Sequence, residues 1–219
     1  MSRLFTFGCS FTNYRWSTWA DCLAPEFDYF ENWGQSGAGN EYIFNSVMEA
    51  DQRSKFDKND TVIVCWTTVT REDRYIDGRW HTLGNMYTCP IYNKDYLVNH
   101  VDARGLLIKT LAYIKAVKTL LEHRQVSWKF LSIDTLDSLN TYQDVVDSIL
   151  PSYRSTVFVN GLPDHNGDPH PSPLEHLEYL DTVLPGWVTK SETRVKMHEE
   201  SINLVKSPFK SGMSRVTRL

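Results

Sequence analysis

Short apolar runs alternate along this chain with helical stripes, and that alternation constrains the fold more than any other feature. Arg3–Gly8 is a brief apolar run closed by glycine and reads as a buried strand. Thr12–Leu23 then reads as a helix, with Trp16, Trp19, Ala20 and Leu23 at helical spacing. Tyr29–Trp33 reads as a second strand, ending in the glycine-rich turn Gly34–Gly39. Asn40–Ala50 follows as a helix with Ile43, Val47 and Ala50 along one face. Asp60–Trp66 is a continuous apolar strand, and Ala103–Leu121 has the strongest helical stripe, through Leu107, Leu111, Ile114 and Leu121. Val126–Ile133 reads as a fourth strand, Tyr142–Leu150 as a short helix and Thr156–Val159 as a fifth short strand. Ser172-Pro-Leu-Glu175 is a capping box with proline at the first helical position. The helix it opens runs to about Leu184, with Leu174, Leu177 and Leu184 facing inward.

This order predicts right-handed crossovers and a mostly parallel five-stranded sheet with helices on both faces. In such sheets ligands sit beyond the carboxyl ends of the strands. The residues to inspect are therefore Cys9-Ser10, Gly34–Asn40, Thr67–Arg71 and the loop before the last helix.

A length of 219 residues suits one domain, expected over 1–189. Residues 71–102 have no clear period and carry Tyr75, Trp80, Tyr87, Tyr92 and Tyr96, which marks an insertion or functional loop. The aromatics there are read either as stacking surfaces for a substrate or as packing. Residues 190–219 form a basic tail, with seven basic and three acidic residues. Lacking a long apolar stripe, it reads as an extended arm or a solvated terminus, and as a contact for a second copy or an assembly partner. A net charge of −4 leaves the chain without a nucleic-acid footprint, and no apolar run reaches the length of a membrane span. The opening MSRLFTFGCSFT reads as a strand and not a signal peptide, so a cytoplasmic location is expected. Cys9, Cys22, Cys65 and Cys89 form no C-x-x-C pair and read as reduced thiols.

Three segments carry chemistry. Ser10, between the first strand and a helix, places a hydroxyl and its own N–H at the open end of the sheet, as a nucleophile or as a helix cap. The turn Asn32–Asn40 exposes backbone N–H groups through Gly34, Gly37 and Gly39, as an anion-binding turn or simply a tight connection. Its sequence lacks the lysine-serine pair of a phosphate-binding loop. Asp164-His-Asn-Gly-Asp168-Pro-His170-Pro offers a base and a carboxylate to orient it, or is a polar surface turn. Asp164, His165, Asp168, His170 and His176 also make a cluster of metal-ligand types, at a spacing that matches no standard zinc pattern.

Together these segments resemble the SGNH/GDSL hydrolase family. Gly8-Cys9-Ser10 stands where the family has its Gly-x-Ser block, Asn32 and Gly37 stand in the second block, and Asp168-Pro-His170-Pro171 matches the last. The match in order and spacing covers residues 1–185. The resemblance implies a three-layer, flavodoxin-like α/β/α fold and a serine esterase without metal or cofactor. Ser10 would be the nucleophile, His170 the general base and Asp168 its orienting carboxylate, with the N–H groups of Ser10 and Gly37 facing the oxyanion. The substrate implied is a small ester or an acylated carbohydrate, an O-acetyl ester among them, contacted by Thr67, Thr68, Arg71 and Trp80. Cys9 is set aside as nucleophile because neighbouring side chains at a strand end point to opposite sides.

One block departs from the pattern. The family has Gly-x-Asn-Asp after the third strand, and here Thr67-Thr-Val69-Thr70-Arg71 puts valine where the oxyanion-donating asparagine is expected. Losing such a donor costs about 3–4 kcal/mol. Asn40, or a threonine among Thr67, Thr68 and Thr70, is expected to take its place; Asn40 is equally read as a helix cap. Arg71 and Glu72 are expected to form an ion pair. The Trp66-Thr-Thr…Arg71-Glu72 variant looks like divergent members encoded by tailed phages, which adds a virion location to the expectations. A second reading keeps the fold without the activity, as a binding or assembly protein.

Overall fold

The computed structural model describes residues 1–137, 139–165 and 167–206. The run Asp60–Trp66 is buried along its whole length, as a central parallel strand must be when helices cover both faces. In chain order the elements are β1 (Arg3–Phe7), α1 (Trp19–Leu23), β2 (Tyr29–Asn32), α2 (Asn40–Ser54), β3 (Asp60–Trp66), β4 (Arg71–Ile76) and β5 (Arg79–Asn85). They continue with α3 (Lys94–His100), α4 (Ala103–Arg124), β6 (Ser127–Ser132), α5 (Gln143–Val146), α6 (Pro173–Val183) and α7 (Ser191–Lys206).

The main sheet is parallel in the order β2-β1-β3-β6. The chain steps from β1 outward to β2, then returns past β1 to β3 and β6. Right-handed crossovers therefore place α1 on one face and α2 and α4 on the other. α2 packs on α4, while α1, α6 and α7 pack together. The reversal opens a crevice beyond the carboxyl ends of β1 and β3. The fold is the α/β arrangement expected, with one fewer strand: among the described residues the sheet has four. Thr156–Val159 is a series of turns, and its apolar content is used differently. Phe158 is buried against the ring of Tyr153, and a single parallel bridge from Phe130 to Ile149 extends the sheet edge. Among the described residues no helix is long and apolar enough to cross a membrane.

Three other expectations change. The helix expected over Thr12–Leu23 begins only at Trp19, after Thr18 N donates to the Asp21 carboxylate at 2.8 Å. Trp16 is buried through a remote contact, its indole Nε1 donating to Pro171 O at 2.6 Å, so its helical spacing was coincidental. Residues 71–102 are a β4–β5 hairpin followed by α3. Asp77 and Gly78, at φ 52° and 76°, supply the left-handed pair that a tight hairpin turn requires. The tail is a helix over Ser191–Lys206 packed on α6 and α1, with Met197 buried, and not an extended arm. Residues 207–219, where the rest of the expected tail falls, lie outside the described residues.

The hairpin is fastened to the start of α2 by Asp73. Its buried carboxylate accepts from Gly39 N and Tyr42 N, both at 2.8 Å, and so caps two N–H groups that the helix leaves open. Burial raises its pKa to about 6, against the pull of the two N–H groups. Asp73→Ala is expected to lower stability by about 1–2 kcal/mol at neutral pH. A carboxyl that holds its proton more tightly when folded favours the folded state most at low pH. The advantage of wild type over Asp73→Ala should therefore shrink as pH rises from about 4 to about 6, by no more than about 3 kcal/mol. Urea denaturation of both proteins at pH 4, 5, 6 and 7 reads this difference, and a constant gap would refute it.

Candidate active site

The turn after β1 is set by two hydrogen bonds, from Thr12 N and Asn13 N to Cys9 O at 2.9 and 3.1 Å. It requires glycine at position 8, where a Cβ would lie 2.0 Å from Thr12 Oγ1. Cys9 points into the core and is fully buried. Ser10 points the other way, toward the loop that precedes α6.

That loop is held at both ends. His165 N and Asp168 N each donate to the other's carbonyl, His165 Nε2 lies 2.8 Å from Glu175 Oε2, and Pro171 O takes the Trp16 indole. His170 is thereby brought to 2.8 Å (Nε2) from Ser10 Oγ, although 160 residues separate them in sequence. On its other side His170 Nδ1 lies 2.6 Å from Asp168 Oδ1. Hydroxyl, imidazole and carboxylate stand in one row. Ser10 and Asp168 are each 2% exposed and the His170 side chain 22%, so solvent reaches the row at the imidazole.

The Asp168 carboxylate is occupied on both oxygens. Oδ1 takes His170 N (3.0 Å) as well as the imidazole, and Oδ2 takes Tyr14 Oη (2.7 Å) and Arg15 Nη2 (2.9 Å). Burial works to raise this carboxyl, but the Tyr14 and His170 hydrogen bonds outweigh it and hold the pKa below the ordinary value. The Tyr14 ring also stacks on the imidazole, with centroids 4.0 Å apart. Arg15 lies over the Trp16 ring at 4.6 Å. Burial lowers the pKa of His170, and the pull of Asp168 in the other direction does not fully offset it. The imidazole is therefore neutral at pH 7, as an acceptor from a hydroxyl must be.

Tyr14 and Arg15 were missed in the sequence because they sit in a stretch read as helix. The remaining expected residues divide. Gln35 N donates to Gly8 O at 3.0 Å, which ties the turn after β2 to the end of β1. Gly37 adopts φ 78° and lies so close to β5 that a Cβ would stand 2.5 Å from Thr82 O. Among the described residues neither Ser10 N nor Gly37 N has a hydrogen-bond partner. Asn40 is committed elsewhere: Nδ2 donates to Thr67 O (3.0 Å) and Thr110 Oγ1 (3.3 Å), and Oδ1 accepts from Thr67 N (2.9 Å). With both N–H bonds spent it has none for an oxyanion, and Gly39, not Asn40, is the cap residue of α2. Thr68 Oγ1 and Thr70 Oγ1 pair at 3.2 Å, while Thr67 Oγ1 is buried and has no partner among the described residues.

Trp80 is not gathered into this cluster. It packs edge-on against Tyr42 of α2 and against Tyr75, which makes it part of the hairpin's attachment. Arg71 does not pair with Glu72: its Nη1 donates to Ala38 O at 3.2 Å, and Glu72 pairs with Arg74 at 3.0 Å. The metal-ligand types are dispersed. His176 is buried with Nδ1 2.7 Å from Tyr153 Oη and is pushed down to about 3 by burial, and His165 faces Glu175. Among the described residues no three such side chains converge.

No family model matches the chain, and no curated protein matches it. Solved structures do. A lipolytic protein of the G-D-S-L family from Veillonella parvula superposes with a TM-score of 0.47 at 12% identity, over 83% of this chain and 97% of that one. An acetyl xylan esterase from Butyrivibrio proteoclasticus gives 0.45 at 14% identity, over 85% and 65%. A carbohydrate esterase gives 0.41 at 15%, over 88% and 70%. A likeness this distant describes those proteins, and the reading of this chain rests on its own geometry.

Proposed function

We propose that this protein is a serine esterase, and the row Ser10 Oγ–His170 Nε2, His170 Nδ1–Asp168 Oδ1, at 2.8 and 2.6 Å, is the observation that carries the reading. His170 takes the Ser10 proton as Oγ attacks the carbonyl carbon of an ester. Asp168 holds the ring in the tautomer with its free lone pair on Nε2 and offsets the charge of the imidazolium. The tetrahedral oxyanion is met by the N–H groups of Ser10 and Gly37. Asn40 being committed, the Thr67 hydroxyl at the end of β3 is the candidate for a third donor. Collapse of the intermediate expels the alcohol, which takes the proton from His170. Water, deprotonated by the same imidazole, then releases the acid from Ser10. The substrate is a small carboxylic ester, with acylated carbohydrates as one class to screen.

Hydrolysis of short-chain p-nitrophenyl esters tests this directly, and no rate above the uncatalysed background with any of them would refute it. The pH profile adds a sharper prediction. His170 acts only when neutral and its pKa lies below 6.5, so kcat/KM should rise with pH, inflect below 6.5 and be flat from about pH 7.5. An inflection well above 6.5 would mean that another group is the base.

The second reading, a fold kept for binding or assembly, draws on Val69 and on the commitment of Asn40. It predicts folded protein that neither hydrolyses esters nor reacts with a fluorophosphonate.

A further inference from the structure

A cavity of about 180 Å³ lies between the start of α2, the chain after β3, α3 and α4. Apolar and aromatic groups, Val69, Met86, Tyr96 and Tyr113 among them, line much of it. Its charged lining is almost fully paired. Lys109 meets Glu41 at 2.5 Å, and Glu72 meets Arg74 at 3.0 Å and accepts from Tyr96 Oη at 3.4 Å. Arg71 is the exception. Its guanidinium makes one hydrogen bond, to the Ala38 carbonyl, and among the described residues no carboxylate stands within ion-pair distance of it. Asp73, two residues on, feels the Arg71 charge without an ion pair to it, and its oxygens are held by Gly39 N and Tyr42 N. His100, also in the lining, is an exposed imidazole beside Tyr96 and adds no negative charge.

The unmatched guanidinium also has a definite place. Ala38 follows Gly37, so Arg71 is fastened to the turn proposed above to bind the oxyanion, and it also lines the cavity. Its positive charge reaches His170, where it opposes protonation. A partly buried guanidinium with spare donors in a small cavity of mixed polar and apolar lining selects a planar anion that it can grip with two parallel bonds. The volume resembles that of a cavity known to hold one benzene ring, about 150 Å³, so the anion must be carried on a short stem.

We propose that Arg71 receives a carboxylate carried by the ester substrate a few bonds from the reacting carbonyl, on the acyl chain or on the alcohol. The proposal rests on the serine-esterase reading and narrows it to anionic esters, such as the monoester of a dicarboxylic acid or an acylated sugar acid.

Two matched pairs of esters separate the sources. Mono-p-nitrophenyl succinate against p-nitrophenyl butyrate places the charge on the acyl side. 4-Carboxyphenyl acetate against 4-carbamoylphenyl acetate places it on the alcohol. With each rate corrected for hydrolysis without protein, the anionic member of one pair is expected to be preferred by about ten- to hundredfold in kcat/KM. Arg71→Gln should bring that ratio to about one, and Arg71→Lys should keep part of it. A wild-type ratio near one in both pairs overturns the proposal. So does a fall in all four rates in Arg71→Gln with the ratio intact, which would place Arg71 at the reacting carbonyl or in the fold. Absence of Ser10-dependent hydrolysis with all four esters defeats the esterase reading instead. Calorimetric binding of succinate and 4-hydroxybenzoate to wild type and Arg71→Gln then decides the anion site by itself: affinity lost with the guanidinium supports it, and equal or absent binding overturns it.

Discussion

Ser10→Ala is expected to lower kcat on a short-chain ester by about 10⁵- to 10⁶-fold, and His170→Ala by nearly as much. The two losses should not add, because a hydroxyl without its base and a base without its hydroxyl disable the same step. The residual rate comes from binding and from the oxyanion donors, which neither change removes. Ser10 Oγ touches His170 Nε2 at 2.8 Å, and the side chain is otherwise enclosed, so alanine deletes a reacting atom with little loss of packing. Ser10→Ala should fold with a melting temperature close to wild type, and His170→Ala, which also loses the stack on Tyr14 and a partner of Asp168, with a somewhat lower one. A fluorophosphonate should add one phosphonyl group to wild type and none to Ser10→Ala, read by intact mass. Cys9→Ala is the matching control, since that thiol lies in the core, and it should still be labelled. A Ser10→Ala protein within tenfold of wild type would remove the mechanism.

The parallel core was readable because its signal is local. β3 is a buried run that no amphipathic helix resembles, and α4 keeps its stripe through Leu107, Leu111, Ile114 and Leu121, all buried. The capping box at Ser172 is visible as four residues, and the structure forms it as written, with Ser172 N donating to Glu175 Oε2 at 2.7 Å. The hairpin over 71–85 was also legible. Tyr75-Ile76-Asp77-Gly78-Arg79-Trp80 is an Asp-Gly turn between β-forming residues, a local signal that needs no long period around it. α7 is different: its apolar face is narrow, and its position depends on α1 and α6, which no local pattern reports.

The meeting of Ser10, Asp168 and His170 was legible because each stands in a short motif at a strand end or beside a proline. Their supports were not. Tyr14 and Arg15 earn their position from a carboxylate 154 and 153 residues away, and nothing in the run Asn13–Ser17 marks them. Asn40 shows the reverse error. Its place before a helix and at the sheet edge fitted a donor, but the Thr67 peptide, with its N–H and carbonyl both free at the end of β3, claims both ends of the amide. A long polar side chain near a strand end is as apt to complete that strand's hydrogen bonding as to face a substrate.

Asp168→Asn is expected to cost about 10³- to 10⁴-fold in kcat with little change in KM. The carboxylate accepts on both oxygens, from the imidazole and a backbone N–H on one and from Tyr14 and Arg15 on the other. An amide has one accepting oxygen. Turned toward His170, its NH₂ confronts Tyr14 and Arg15; turned away, it confronts Nδ1–H and favours the wrong tautomer. Either way a donor is left facing a donor, and the melting temperature should fall as well, by the equivalent of about 1–3 kcal/mol. The pH profile separates orientation from mere loss of fold. Asp168 holds the His170 pKa up and Arg15 pushes it down, so Asp168→Asn should move the acid limb of kcat/KM to lower pH and Arg15→Gln should move it higher. Tyr14→Phe removes a donor but no charge, and its effect should be a loss of about three- to tenfold in kcat from a less firmly held carboxylate. Shifts of the acid limb in the same direction for Asp168→Asn and Arg15→Gln would contradict this arrangement. If they diverge, Asp168 and the Arg15 that holds it set the basicity of His170 as well as its orientation.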